Sequence, residues 1–186
     1  MENKTKKKSI EASIELSEGV QANLEGNIVV FKGPKGENKR NFADKSIAIT
    51  IKDNKINLVA NKATKREKKK MGSLKSHLRN MIKGVNEGFV YRLKICSGHF
   101  PMTVTVSGND FSIQNFLGEK VPRKLQIKEG ASVKVEGDEI LVEGIDKEIV
   151  SQTAAGIEQL TRISNRDRRI FQDGCYITVK DNKEIK

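Results

Sequence analysis

The stretch TRISNRDRRIFQDGCYI, residues 161–177, gathers Arg162, Arg166, Arg168 and Arg169 and then runs straight into an apolar, aromatic segment. Guanidinium groups stay ionised and present a planar fork of donors, so several held together favour an anion opposite them. The chemistry on offer is recognition of a polyanion. A second basic concentration comprises Lys62, Lys65, Arg66, Lys68, Lys69, Lys70, Lys75, Arg79 and Lys83, with only Glu67 opposing it between 61 and 83. Few ion pairs along a helix are then available to offset repulsion, and phosphate binding is the better reading of the cluster. Arg123, Lys124 and Lys128 form a third group.

Residues fit for catalysis are scarce. The only histidines are His77 and His99, and the only cysteines Cys96 and Cys175. Cys96 and His99 lie three apart in an extended segment, which turns their side chains to opposite faces, with no carboxylate placed to orient the imidazole. Two His and two scattered Cys assemble no metal site at ordinary spacing. Both cysteines read as small buried hydrophobes. His77 reads as a solvated or phosphate-facing side chain among lysines, and the carboxylates are dispersed through turns and helix starts. Gly33-Pro34-Lys35-Gly36 is a GxxG, but its flanks read as strands, so it is a hairpin loop and not a helix-flanked backbone clamp. No enzyme activity, cofactor, metal or small-molecule substrate is expected.

Over 186 residues, 35 Lys and Arg stand against 24 Asp and Glu, a net charge of +11. Nucleic acid and anionic membrane both suit that charge. No apolar run approaches the roughly 20 residues that span a bilayer, and the start MENKTKKKSIEAS has neither signal nor anchor character, so a soluble intracellular protein is expected. With no Trp, two Tyr and seven Phe, a platform for stacking bases is hard to build. Folded RNA or a duplex, held through phosphates and shape, is the expected partner.

Two copies of one pattern must position these residues. IAITIKDNKINLVA (47–60) and ASVKVEGDEILVEG (131–144) each alternate apolar and polar residues around a polar turn, the mark of a β-hairpin. Upstream, NIVVFKGPKGENKRNFA and DFSIQNFLGEKVPRKLQI each give a short apolar run, a Gly-Glu loop and a basic return. Downstream, an amphipathic helix follows each hairpin. Met71, Leu74, Leu78, Met81, Ile82 and Val85 mark the first. Ile149, Thr153, Gly156, Ile157, Leu160 and Ile163 mark the second, with Asp146 as its N-cap. The expectation is an α+β chain of two tandem copies of a small domain, each a mostly antiparallel sheet with one helix on a face. The first copy spans 10–86 and the second 87–181. A basic tail, 1–9, precedes them and a short tail, 182–186, follows.

Three segments carry a resemblance: NMIKGVNEGFVYRLKICSGHFPMTVTV (80–106), IQNFLGEKVPRKLQI (113–127) and SNRDRRIFQDGCYI (164–177). Together they closely resemble the universal large-subunit ribosomal protein six family, in the form called protein nine in eukaryotic ribosomes. The chain departs from that form at Val121, a position typically aromatic there, and at Pro122. The resemblance implies a structural constituent of the cytosolic large subunit that supports translation, with assembly in the nucleolus. It implies binding to large-subunit rRNA near the sarcin-ricin loop and stalk base, chiefly through the second domain, beside neighbouring ribosomal proteins that include those of the stalk base. By motif, the implied RNA-facing residues are His99, Phe100, Pro101, Asn115, Gly118, Lys120, Arg166, Arg168 and Arg169, and Arg123, Lys124 and Arg162 of the basic clusters are expected to join them. Ile170, Phe171, Cys175, Tyr176 and Ile177 are expected to continue into the sheet. The alternative is a free RNA-binding regulator or ribosome-assembly adaptor on the same duplicated domain.

Overall fold

The computed structural model describes residues 9–43, 46–52, 54–61 and 64–185. The chain divides into two compact units, Met1–Glu87 and Gly88–Lys186. The lysine run at 4–8 and Lys62 lie outside the described residues.

In the first unit the elements are β1 (Ile10–Glu15), β2 (Gln21–Glu25), β3 (Ile28–Gly33), β4 (Gly36–Asn41), β5 (Ile47–Lys52), β6 (Lys55–Ala60) and α1 (Lys65–Asn86). They form two antiparallel three-stranded sheets, ordered β1-β6-β5 and β2-β3-β4. The second unit repeats the order with β7 (Phe89–Cys96), β8 (Thr103–Ser107), β9 (Asp110–Gln114), β10 (Arg123–Gln126), β11 (Ala131–Glu136), β12 (Glu139–Gly144) and α2 (Lys147–Leu160). It then adds β13 (Gly174–Lys180) and β14 (Lys183–Glu184). Its sheets run β11-β12-β7-β13-β14 and β10-β9-β8. Each copy thus holds two sheets where the periodicity alone pointed to one, because strand signals do not say which hairpins join.

β1-β6-β5 and β7-β12-β11 are the same arrangement. The strand that follows α2 pairs with the other edge of β7, so the segment joining α2 to β13 belongs to the second copy's addition to the pattern. The arginine-rich stretch is that segment.

α1 begins at Thr64, whose hydroxyl accepts from the Glu67 amide at 3.5 Å, and Glu67 stands at the capping-box position. All six apolar residues expected on its inner face are buried. The Asp146 carboxylate caps α2 by accepting from the Glu148 amide at 2.8 Å. The buried face of α2 consists of Val150, Thr153, Ala154 and Ile157, one residue round from the Ile149 and Gly156 stripe expected, and Ile163 falls beyond the helix. Small Ala154 and Thr153 let the helix sit close to the sheet; the larger Ile149 marks the edge of that face.

The second core joins Phe89 and Leu93 of β7, Phe111 and Ile113 of β9, Ile140 and Val142 of β12, and Cys175 of β13 to that helix face. Full burial of each large apolar side chain contributes roughly 1.5–3 kcal/mol. Cys175 is fully buried, and burial, together with nearby Cys96, pushes its thiol up to about 12, in keeping with a small core side chain. In the first unit the GxxG is the β3–β4 hairpin. A Cβ on Gly33 would stand 2.7 Å from the Val85 carbonyl oxygen, and the Lys35 amide donates to that same oxygen at 2.9 Å. Glycine is needed there to let the hairpin dock on the end of α1.

Candidate nucleic-acid interface

Sheet pairing brings three loops of the second unit together. β13 meets β7 with Gly174 opposite Cys96, so the residues before β13 must lie beside those after β7. β8 meets β9 with Thr103 opposite Gln114, so Pro101 and Asn115 become neighbours. The HFP segment, the NFLGEK loop and the end of the arginine stretch therefore share one side.

At the centre stands Asp173, with its side chain only 2% exposed. One carboxylate oxygen accepts from the amides of Gly98 at 2.6 Å and His99 at 2.9 Å; the other lies 2.8 Å from His99 Nδ1. This corrects the expectation that no carboxylate orients His99: the partner lies 74 residues along the chain. Burial pushes the Asp173 carboxyl upward, but the donors of His99 and Gly98 outweigh it and hold the group below its usual value. The His99 ring lies against Phe171, centroids 4.7 Å apart, and the Arg166 guanidinium sits 4.9 Å above that same ring.

The NFLGEK loop is fixed from both ends. Asn115 Nδ2 donates to the Pro101 carbonyl at 2.9 Å. Asn115, Leu117 and Gly118 all take left-handed φ, and a Cβ on Gly118 would come within 3.3 Å of the Phe100 ring. Phe100 thereby lies over the glycine and stays 37% exposed.

Arg123 binds both carboxylate oxygens of Glu119, at 2.8 and 2.5 Å, donates to the Leu160 carbonyl at 2.6 Å, and lies 4.3 Å over the Phe116 ring. It caps the carbonyl end of α2 with a cation. Hydrogen bonding from Arg123 holds the Glu119 carboxyl below its usual value, and the charge of nearby Arg166 adds to this. Arg123, among the cluster residues expected to face RNA, is thus occupied within the fold.

In the arginine stretch, Arg169 pairs with Asp167 at 2.8 Å. The Asp167 backbone carbonyl accepts from the amides of Ile170 and Phe171 at 3.1 and 2.9 Å. This turn overrules the expectation that Ile170 and Phe171 belong to the strand: β13 begins at Gly174, and Ile170 is 61% exposed. Tyr176 lies in β13, as expected, but on its open side. Arg162, Arg168, Lys120 and Lys124 are exposed and have no carboxylate partner among the described residues.

The sequence signalled neither Asp173 nor the stacking role of Phe171. Phe171 was expected in the sheet, and only the β7–β13 pairing shows what the aspartate faces. In the first unit, Lys65, Arg66, Lys68, Lys69 and Arg79 line the exposed side of α1, with Lys70, Lys75, His77 and Lys83 half-buried. Among the described residues no group of three or more His, Cys, Asp and Glu could hold a metal ion, and no helix is long and apolar enough to cross a membrane.

The model of the family "Ribosomal protein L6" matches residues 16–88 and 100–174, one match to each copy of the repeat. The large ribosomal subunit protein uL6 of Methanobrevibacter smithii is 44% identical over 93% of this chain and 97% of its own. Those of Methanococcus vannielii and Methanosarcina mazei are 45% identical over 95% of this chain and 46% over 93%, respectively, and are covered over 97% and 98% of their own lengths. These relatives are archaeal, so the eukaryotic form singled out from the sequence is not the one supported, and nucleolar assembly, which rested on that form, loses its ground. With both repeats matched and relatives of almost equal extent aligned throughout, the chain belongs to the ribosomal protein L6 family, whose members are structural proteins of the large subunit and not enzymes.

Proposed function

We propose that the second unit grips large-subunit rRNA with the face built by residues 98–101, 115–124 and 162–173, in the cytoplasmic ribosome. The observation that carries this reading is the linkage of three separate loops, Asp173 to Gly98 and His99 and Asn115 to Pro101, with Arg162, Arg166, Arg168, Lys120 and Lys124 exposed on them. Fixed cations on a rigid frame suit a phosphate backbone of defined shape. His99 and Asn115 act as positioning residues, Phe100 and Pro101 shape the surface, Gly118 lets Phe100 approach, and Arg123 and Arg169 set the loops. By the resemblance, the RNA lies beside the sarcin-ricin loop and the stalk base, next to stalk-base proteins.

The test is sedimentation of the tagged chain in lysate, beside a variant with Arg166, Arg168 and Arg169 changed together to Ala. The wild type travels in large subunits and polysomes at one copy each and is released by ribonuclease. The variant keeps its circular dichroism spectrum and shifts toward the top of the gradient. A wild-type chain confined to free or immature fractions would favour the adaptor role instead.

A further inference from the structure

A cleft of about 420 Å³ opens beside the arginine stretch, between the last turn of α2 and β13. Glu158, Gln159, Arg162, Ile163, Arg168 and Tyr176 line it. The motifs that carry the resemblance place RNA on the arginines, and nothing in them assigns this hollow.

Its walls differ from a simple phosphate seat. Tyr176 is 41% exposed, and its hydroxyl lies 3.5 Å from the Asp173 carbonyl. The ring is therefore anchored at its tip to the segment that organises the face, and offers an aromatic surface beside apolar Ile163. Glu158 already spends one carboxylate oxygen on the Ile177 amide, at 3.2 Å. The Gln159 side-chain amide, exposed at the rim, makes no hydrogen bond among the described residues and carries both a donor and an acceptor. Arg162 and Arg168 add two exposed cations at the mouth.

An aromatic surface, an amide with both hydrogen-bonding senses and two adjoining guanidiniums match the face and edge of a base and the phosphate of a nucleotide. RNA loops and bulges splay out single bases that proteins stack and read along their edges. The hollow has the size of a small-molecule site. We propose that this cleft receives one unpaired nucleotide of the bound RNA, its base against Tyr176 and within reach of Gln159, its phosphate between Arg162 and Arg168. This rests on the rRNA-binding reading above and adds to it base recognition, which the scarcity of aromatics in the sequence argued against.

The experiment titrates the isotope-labelled full chain, observed by NMR, with each of the four nucleoside 5′-monophosphates and with ribose 5-phosphate. At least one nucleotide is expected to shift the Gln159, Arg162 and Tyr176 resonances at about tenfold lower concentration than the base-free sugar phosphate, the scale of one base stack. Tyr176→Leu removes that advantage and Tyr176→Phe keeps it. Equal shifts from ribose 5-phosphate, or an advantage that survives Tyr176→Leu, would overturn the proposal. Binding of the same proteins to purified large-subunit rRNA separates the two claims. If wild type binds rRNA with a steep salt dependence while the nucleotides show no advantage, only the cleft assignment fails. If wild type does not bind rRNA, the underlying reading fails.

Discussion

Asp173 and His99, 74 residues apart in sequence, are joined through a side-chain contact of 2.8 Å and a backbone hydrogen bond of 2.9 Å. The carboxylate ties the exit of β7 to the entry of β13, so the fold and the basic face share one fastening.

Replacing Asp173 by Ala removes a nearly fully buried carboxylate and leaves the Gly98 and His99 amides without their acceptor. A loss of about 3 kcal/mol is expected, since the hydrogen bonds to a buried charged group disappear together. Asp173→Asn retains one carbonyl oxygen and costs less. Urea unfolding followed by circular dichroism measures both, and equal stability of Asp173→Ala and wild type would refute the fastening.

Acid is expected to loosen the same point. A carboxyl held below its ordinary value of 3.8 binds its proton more weakly in the folded than in the unfolded chain. Its stabilisation is therefore complete above 3.8 and is lost as the pH falls through the lower, folded value. Melting temperatures collected from pH 6 to pH 2 should fall more steeply at the acid end for wild type than for Asp173→Asn.

Arg123 gives a test between two roles. As the cap of α2 and the partner of Glu119, its change to Ala destabilises the protein by about 2 kcal/mol, a loss visible as a lower melting temperature. As a phosphate ligand alone, it would leave stability untouched and reduce the salt slope of rRNA binding by about one. The first outcome is expected.

Asp167 pairs with Arg169 on the open surface and offsets its charge there. Asp167→Asn keeps the backbone turn and removes one negative charge from the face, so rRNA binding should tighten and its salt dependence steepen. Weaker binding in filter assays at low and moderate salt would show that the pair acts as a unit.

Much of this organisation could be read from residue order. The hairpins were visible in their alternation, and α1 in spacings so regular that every buried residue of its inner face but Gly84 was predicted. On α2 the expected stripe included buried Thr153 and Ile157 but took Ile149 and Gly156 in place of Val150 and Ala154, which are the residues buried. The turn at Ile170 and Phe171 rests on local bonds to the Asp167 carbonyl, which the apolar run hid, whereas the acceptor for His99 depends on β7 meeting β13. That contact spans most of the unit and leaves no local trace. Arg123 illustrates the same limit: its charge was evident, but its engagement with the end of α2 was not.

The Arg166–Phe171–His99 stack has a kinetic consequence. A long cation ordinarily surrenders rotamer freedom when it meets a partner, at roughly 0.5–1.5 kcal/mol per side chain. Arg166 rests on a ring that is itself braced by an imidazole fastened to Asp173, so part of that freedom is given up at folding. Arrival of an anion then requires little rearrangement at this point, while exposed Arg168 and Lys120 settle afterwards. The face carries one preset contact among adaptable ones, an order of engagement written into its packing.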